Sequence, residues 1–262
     1  MTLRFTILGC GTSAGVPRIG NDWGECDPAN PKNRRTRVSL LVQSKTTTLL
    51  VDTSPDMREQ LLAAGVISID AVLWTHDHAD HCHGIDDLRQ VYHHRAHMGR
   101  YNEPIDGYAR APALKVLQQR FAYAFEGREG YRAIVNGREL PDELLIGDIH
   151  VRCVDMPHGA IWSTGFRFEH GGSSVGYATD FHEMTDAMAT LFTGLDVWIV
   201  DALREKPHPT HPHLALTMAA ITQTAPHCAY LTHMDNSMDY DRLCALLPSH
   251  IRPAYDGLCE QI

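Results

Sequence analysis

The segment Leu73-Trp74-Thr75-His76-Asp77-His78-Ala79-Asp80-His81 ends in six residues, five of which can bind a metal. His76 and His78 continue the alternation of the apolar run before them, so both side chains can point to one side. Asp80 and His81 are adjacent, and a turn there lets them reach a second point. One tetrahedral zinc takes about four ligands, and a catalytic one keeps a position open. Four close ligands, with more elsewhere, therefore point to two metals. A solvated polar turn is the competing explanation. It gains nothing from clustering such residues directly after a buried strand.

Three more segments share this grammar. Val154-Asp155-Met156-Pro157 stops at His158, Val175-Gly176-Tyr177-Ala178-Thr179 at Asp180, and Cys228-Ala229-Tyr230-Leu231-Thr232 at His233. Singly, a His or Asp after a strand is ordinarily a turn or cap residue. Together the four segments supply seven nitrogen or oxygen donors at strand ends, where a rigid scaffold can present them.

The elements that must position these donors can be traced along the chain. Strands are expected over 3–8, 38–42, 47–52 and 69–74. A helix is expected over 55–64, with Ser54 as N-cap, Pro55 in the first turn and Gly65 as the stop. Helical patterns follow over 85–96 and 113–125. Residues 98–137 show no clean strand alternation and read as an insertion able to cover a site, with Tyr101, Tyr108, Arg110 and Tyr123 as candidate ligand contacts. Short strands come next, near 144–147, 149–155, 164–169 and 174–179. They are followed by a helix near 184–192, a strand over 197–200, a helix over 214–224, a strand over 228–231 and a helix near 239–247. Two strand groups, each followed by helices, predict an α/β (α+β) fold with two packed sheets and helices outside, in one domain over 1–262.

Composition narrows the function. The chain of 262 residues carries 23 Lys+Arg against 32 Asp+Glu, a net charge of −9 with neutral His. That excludes a basic nucleic-acid-coating protein and counts against gripping a long RNA. No run approaches the ~20 apolar residues that cross a membrane, and the N-terminus does not read as a signal peptide. Seven cysteines without a C-x-x-C argue against a disulfide scaffold and for a reducing, cytoplasmic compartment. The oligomeric state stays open, a homodimer included.

The run T-H-D-H-A-D-H matches the H-x-H-x-D-H signature of the metallo-β-lactamase superfamily, and His158, Asp180 and His233 match its remaining ligands in order. The resemblance spans Leu8 to His233. It implies a four-layer αββα sandwich with the site at one edge. It also implies that His76, His78 and His158 hold one metal, that Asp80, His81 and His233 hold a second, and that Asp180 bridges them. The opening I-L-G-C-G-T-S-A-G-V-P resembles the branch that cleaves phosphodiesters, which includes RNase Z. D-T-S-P-D at 52–56, Val200-Asp201-Ala202-Leu203-Arg204 and His208-Pro209-Thr210-His211 resemble its PhnP-like group. In that group a histidine near this last position acts on the phosphate. Position matching favours His211, with His213 next. PhnP itself carries a structural zinc held by three early-loop cysteines and a histidine after the last ligand. Here the early loop has only Cys26, and Met234-Asp235-Asn236 follows His233, so that zinc is not expected.

The chemistry so implied is hydrolysis of a small cyclic phosphate or nucleotide phosphodiester by two divalent ions, zinc or manganese. Asp80 and Asp180 would balance and bridge the ions. His211 would protonate the leaving group. His211, His213 and Ser13 are candidate substrate contacts. Asp52 and Asp201 end strands near the same edge and could orient ligand histidines. A cap role is equally open for Asp52. A small phosphate-ester or nucleotide ligand is the expected partner, with no membrane. The alternatives are an RNase Z-like nuclease, a thioester or lactone hydrolase of the same fold, and a metal- and nucleotide-binding sensor without turnover.

Overall fold

Two-residue periodicity sorts the side chains of the early strands onto two faces. A computed structural model describes residues 2–97, 99, 103–128 and 130–262. In it Leu40, Val42, Leu49, Val51 and Leu73 enter a core shared with Phe166, Phe168 and Tyr177 of a second sheet. Their neighbours Leu41, Leu50 and Val72 enter a separate core with Met57, Leu61, Leu88, Val91, Leu114 and Leu117 of the overlying helices.

The first half runs β1 (Arg4–Gly9), β2 (Ser39–Gln43), β3 (Thr48–Val51), α1 (Met57–Ala63), β4 (Ala71–Leu73), α2 (Ala79–Cys82), α3 (Leu88–His97), β5 (Ile105–Ala109), α4 (Ala111–Arg120), α5 (Ala122–Glu126) and β6 (Val135–Glu139). The second half runs β7 (Glu143–Ile146), β8 (Ile149–His158), β9 (Ile161–His170), β10 (Ser173–Ala178), α6 (Asp186–Phe192), β11 (Val197–Asp201), α7 (Leu214–Thr224), β12 (Cys228–Thr232), α8 (Tyr240–Leu246), β13 (Ile251–Pro253) and β14 (Leu258–Gln261). The strand orders are β14-β1-β2-β3-β4-β5-β6 and β13-β12-β11-β10-β9-β8-β7. Both sheets mix parallel and antiparallel pairs, and β10, β11 and β12 run parallel. With α1, α3 and α4 outside one sheet and α6 and α7 outside the other, the expected αββα layering is present. Among the described residues, no helix is long and apolar enough to cross a membrane.

The chain departs from expectation chiefly at 98–137. Rather than inserting, this region supplies β5 and β6, which extend the first sheet in parallel beyond β4. Gly107 on β5 obscured the pattern. It packs on the indole of Trp74, where a Cβ would sit 2.5 Å from the ring. Met98 and Tyr101 lie outside the described residues. The helix expected at 55 starts at Met57; in the turn before it Ser54 Oγ accepts from the Asp56 N–H at 3.1 Å, and the Asp56 carboxylate lies 2.9 Å from both the backbone N and the Nε of Arg37. The pattern over 113–125 is broken at Phe121, which leaves the helical region (φ −118°, ψ 39°). The pattern over 85–96 starts with a single tight turn, Ile85–Asp87. The short strands β13 and β14 were not anticipated. β14 returns to pair with β1 and so joins the chain's two ends.

Candidate metal centre

The expected site residues gather at one edge of the sandwich, most of them at or just after strand ends. Asp52 follows β3, His76 follows β4, His158 and Asp201 close β8 and β11, Asp180 follows β10, and His233 follows β12. Asp80 and His81 sit on the single-turn helix α2. Just beneath the site the two sheets are tied by the Thr164 N–H, which donates to the Thr75 carbonyl at 2.9 Å. Asp52, Asp180 and His233 have φ of 62°, 62° and 55°. Such left-handed backbone is uncommon outside glycine and concentrates at functional sites.

The donor atoms form overlapping groups. One ligand atom each from His76, His78, His158 and Asp180 lie within 4.8 Å of one another, and so do those of Asp80, His81 and His233. Asp180 stands between the groups. Its Oδ1 is 3.5 Å from His158 Nε2 and 3.9 Å from His76 Nε2. Its Oδ2 is 3.2 Å from His81 Nε2 and 3.6 Å from His233 Nε2. The Nε2 atoms of His76, His81 and His233 are buried without a hydrogen-bond partner. Buried polar atoms are almost always satisfied. Three orphaned imidazole nitrogens converging on carboxylates fit divalent cations, which take neutral imidazole and carboxylate together.

Surrounding groups fix these rings. Asp52 is fully buried; its Oδ2 is 2.7 Å from His81 Nδ1, and its Oδ1 accepts from the Thr75 N–H at 2.8 Å. This is the orienting arrangement, not a cap. The Thr75 hydroxyl lies within hydrogen-bond distance of Asp52, His76 Nδ1 (3.0 Å) and His81 Nδ1 (3.2 Å). Asp201 Oδ2 accepts from the Asp180 N–H at 2.9 Å and lies 3.0 Å from His211 Nδ1. The Ser163 hydroxyl donates to the Asp180 carbonyl at 2.6 Å. Such outer contacts set ring tautomer and orientation.

Two arginines hold the loops; one of them, Arg35, belongs to the basic run Lys32, Arg34, Arg35 and Arg37, which reads in sequence as a solvated surface loop. Arg120, at the end of α4, donates to the carbonyl and the carboxylate of Asp77, inside the ligand loop. Arg35 is buried. Its guanidinium bonds the carbonyls of Asp235 and Met238 and the side chain of Asn33, with Cys26 Sγ at 3.8 Å. It thereby straps the early loop to the segment after His233. Neither role shows in local sequence, because the partners lie far away in the chain.

His211 joins the cluster. Its Nε2 is 3.7 Å from Asp180 Oδ1, and its ring stacks on His233 at 4.7 Å. His213 is the N-cap residue of α7 and, unlike His211, lies in none of the donor groups found among the described residues. Ser13 is exposed on the loop after β1. Its neighbour Thr12 bonds the Met234 carbonyl, beside His233. Cys82 is buried. Arg110, expected to contact ligand, is engaged by Asp142 and Asp155. Tyr108 lies in β5, and Tyr123 lies on α5 beside Arg89, Arg128 and Tyr131.

Electrostatics follow from this crowding. Burial disfavours charge on His81, but Asp180, Asp80 and Asp52 hold its imidazolium well above the ordinary range. Burial likewise opposes charge on His233, and Asp180 and Asp201 raise it to about 9. Burial and the nearby His81 push His76 well below its usual value. Against its own burial, Asp180 is held well below the carboxylate range by His233 and His81. Metal ligands must be neutral imidazoles, so loading displaces protons. Metal-free protein titrated with zinc near pH 7 is therefore expected to release protons from His81 and His233. Apparent affinity should climb with pH until His233 is neutral, above about 9. Calorimetry in buffers of different ionisation heat reads this directly; a heat independent of buffer would show these rings already neutral.

The chain matches the family described as the Beta-lactamase superfamily domain over residues 47–234. A crystal structure of a diphosphatase from the PhnP family is 35% identical with a TM-score of 0.90, covering 100% of this chain and 98% of that one. An octanoyltransferase from Porphyromonas gingivalis (strain ATCC BAA-308 / W83) is 30% identical over 262 residues, 98% of this chain and 51% of its own length. The chain spans about half the length of the curated relatives it matches. The metallo-β-lactamase fold protein YhfI from Bacillus subtilis, at 17% identity and TM-score 0.78 with both chains fully covered, shares the fold.

Proposed function

The chain belongs to the metallo-β-lactamase superfamily, in its PhnP-like group, and on that premise we propose that it is a dinuclear phosphodiesterase of small cyclic phosphates or nucleotide phosphodiesters. The observation that carries this reading is Asp180, whose two oxygens face two separate donor sets. His76, His78 and His158 would hold one divalent ion, and Asp80, His81 and His233 the other, with Asp180 shared. Zinc and manganese both suit a set of imidazoles and carboxylates. Such a pair supplies an activated water and neutralises phosphate charge when bound.

The protein's own groups supply the rest. Asp52 and Thr75 hold His81 and His76 in register, and Asp201 fixes the Asp180 backbone. Water attacks phosphorus, the opposite P–O bond breaks, and the departing oxygen needs a proton. His211 Nε2 lies 3.7 Å from Asp180 Oδ1 and its Nδ1 lies 3.0 Å from Asp201, which supports His211 as the donor of that proton. The net charge of −9 disfavours extended RNA. Seven unpaired cysteines suit a reducing, cytoplasmic setting.

A second reading is hydrolysis of an acyl thioester, favoured by the 30% identity to a relative named for octanoyl transfer. Side-by-side turnover of a phosphodiester and an octanoyl thioester separates the two. The first reading expects phosphodiester cleavage at least about a hundredfold faster in kcat/KM, a gap of about 3 kcal/mol. Thioester cleavage alone would overturn it.

A further inference from the structure

Residues 205–211 form a loop between β11 and α7, outside any strand or helix. Two backbone bonds close its ends. The Leu203 N–H donates to the Pro212 carbonyl at 3.1 Å, and the Leu214 N–H to the Arg204 carbonyl at 2.8 Å. The Arg204 guanidinium reaches back to the carbonyls of Lys206 and Pro207. Pro207 and Pro209 stiffen the loop further, since each fixes its own φ.

The tip of this loop docks on the β8–β9 hairpin. His158 Nδ1 lies 2.8 Å from the Thr210 carbonyl. A carbonyl only accepts, so Nδ1 carries the hydrogen and Nε2 keeps its lone pair for a cation. The Thr210 methyl takes the space a side chain would need at Gly159, which has φ of +58°; a Cβ there would sit 2.9 Å from that methyl. The Thr210 N–H and hydroxyl both lie 3.3 Å from His208 Nδ1. The Gly159 N–H donates to His182 Nδ1 at 3.2 Å. Loop tip and hairpin turn are thus each held from behind and pressed together.

The bonded carbonyl belongs to the peptide that leads into His211. A peptide is planar, so fixing its oxygen fixes the His211 Cα as well. From there Asp201, 3.0 Å from His211 Nδ1, holds the ring beside His158 (4.8 Å between centroids) and 3.7 Å from Asp180. One peptide therefore orients a donor imidazole at one end and starts the candidate proton donor at the other.

We propose that Thr210 is a positioning residue that couples the two: its carbonyl sets the His158 imidazole for a divalent ion, and the same peptide sets His211 toward the substrate. The inference rests on the phosphodiesterase reading for the role of His211, and on the hairpin contact for metal binding. Loss of an outer contact of this kind costs about 10–100-fold in metal affinity.

The test is zinc binding to metal-free protein by competition with a chromophoric chelator, alongside hydrolysis of an alkyl diester and of bis(p-nitrophenyl) phosphate at saturating zinc. Gly159→Ala puts a methyl against that of Thr210. It is expected to weaken one of two zinc ions about tenfold or more and to slow the alkyl diester more than the nitrophenyl one. Adding Thr210→Ser removes the opposing methyl, keeps the hydroxyl, and is expected to restore both. Left-handed strain at position 159 persists in the double variant, so strain alone predicts no recovery. Thr210→Gly, expected to weaken the same ion, carries the test if Gly159→Ala does not fold. In a His78→Ala background the first donor set is one ligand short, and Gly159→Ala should leave the ion of Asp80, His81 and His233 unaffected. Weakening of that ion, unchanged zinc affinity in the single variant, or no recovery with Thr210→Ser overturns the proposal. If zinc responds as expected but both diesters slow alike, the link to His211 falls. If zinc responds and neither diester is cleaved even by the wild type, the positioning of His158 stands and the phosphodiesterase reading falls.

Discussion

Asp180→Ala is expected to lower phosphodiester turnover about a thousandfold, equivalent to about 4 kcal/mol of transition-state stabilisation, and to leave fewer than two metals bound per chain. Among the described residues its side chain alone has one oxygen toward His76 and His158 and the other toward His81 and His233. Removing it separates the two donor sets and takes one negative charge from between two cations. Folding should survive. The Asp180 backbone is held by Asp201 and Ser163, and only the Thr179 hydroxyl bonds the lost carboxylate at short range. Elemental analysis and a melting curve on the same sample read both effects. Full turnover with two metals retained would show that Asp180 does not bridge.

His211→Ala is expected to cost about 10²–10⁴ in kcat on a diester with an alkyl leaving group, the usual range for a positioned general acid. KM should change little, and metal content is read on the same sample, because His211 also shares a candidate donor group with Asp180, Asp201 and His233; loss of metal along with turnover would make it a ligand and not the acid. The loss should nearly vanish on bis(p-nitrophenyl) phosphate, whose leaving group departs without a proton. That contrast separates acid catalysis from a merely structural role, which would slow both substrates alike. Unchanged turnover of the alkyl diester would assign the proton to another donor. His213, the next candidate, would then be tested by His213→Ala on the same substrate pair.

The donor set was legible because its members lie at or soon after the ends of strands with apolar faces, Asp80 and His81 one turn beyond β4 on α2, and strand ends of a packed sandwich share an edge. His76, His78, Asp80, His81, His158, Asp180 and His233 converge for that reason. Asp52 was ambiguous in sequence, because an aspartate before Thr53-Ser54-Pro55 fits a helix entry equally well. Only the sheet pairing of β3 with β4 brings it to His81. Thr75 went unread as the hub between two rings, since threonine after a strand carries no signal of its own. Arg35 looked like one more charge of a solvated basic loop, and Arg120 carried no signal, for a different reason. Their partners are carbonyl oxygens and a carboxylate reached only after folding, some about two hundred residues away. The β5–β6 region failed by composition. Val135-Asn136-Gly137-Arg138-Glu139 is an edge strand, mostly solvated, with one buried position. No alternation marks such a strand, and glycine weakens what pattern there is.

The most direct measurement is metal content per chain together with turnover of bis(p-nitrophenyl) phosphate, on protein loaded separately with zinc and with manganese. A dinuclear phosphodiesterase predicts two ions per chain and turnover that rises with occupancy of the second. Two ions bound with no phosphodiester cleaved under either metal would contradict it.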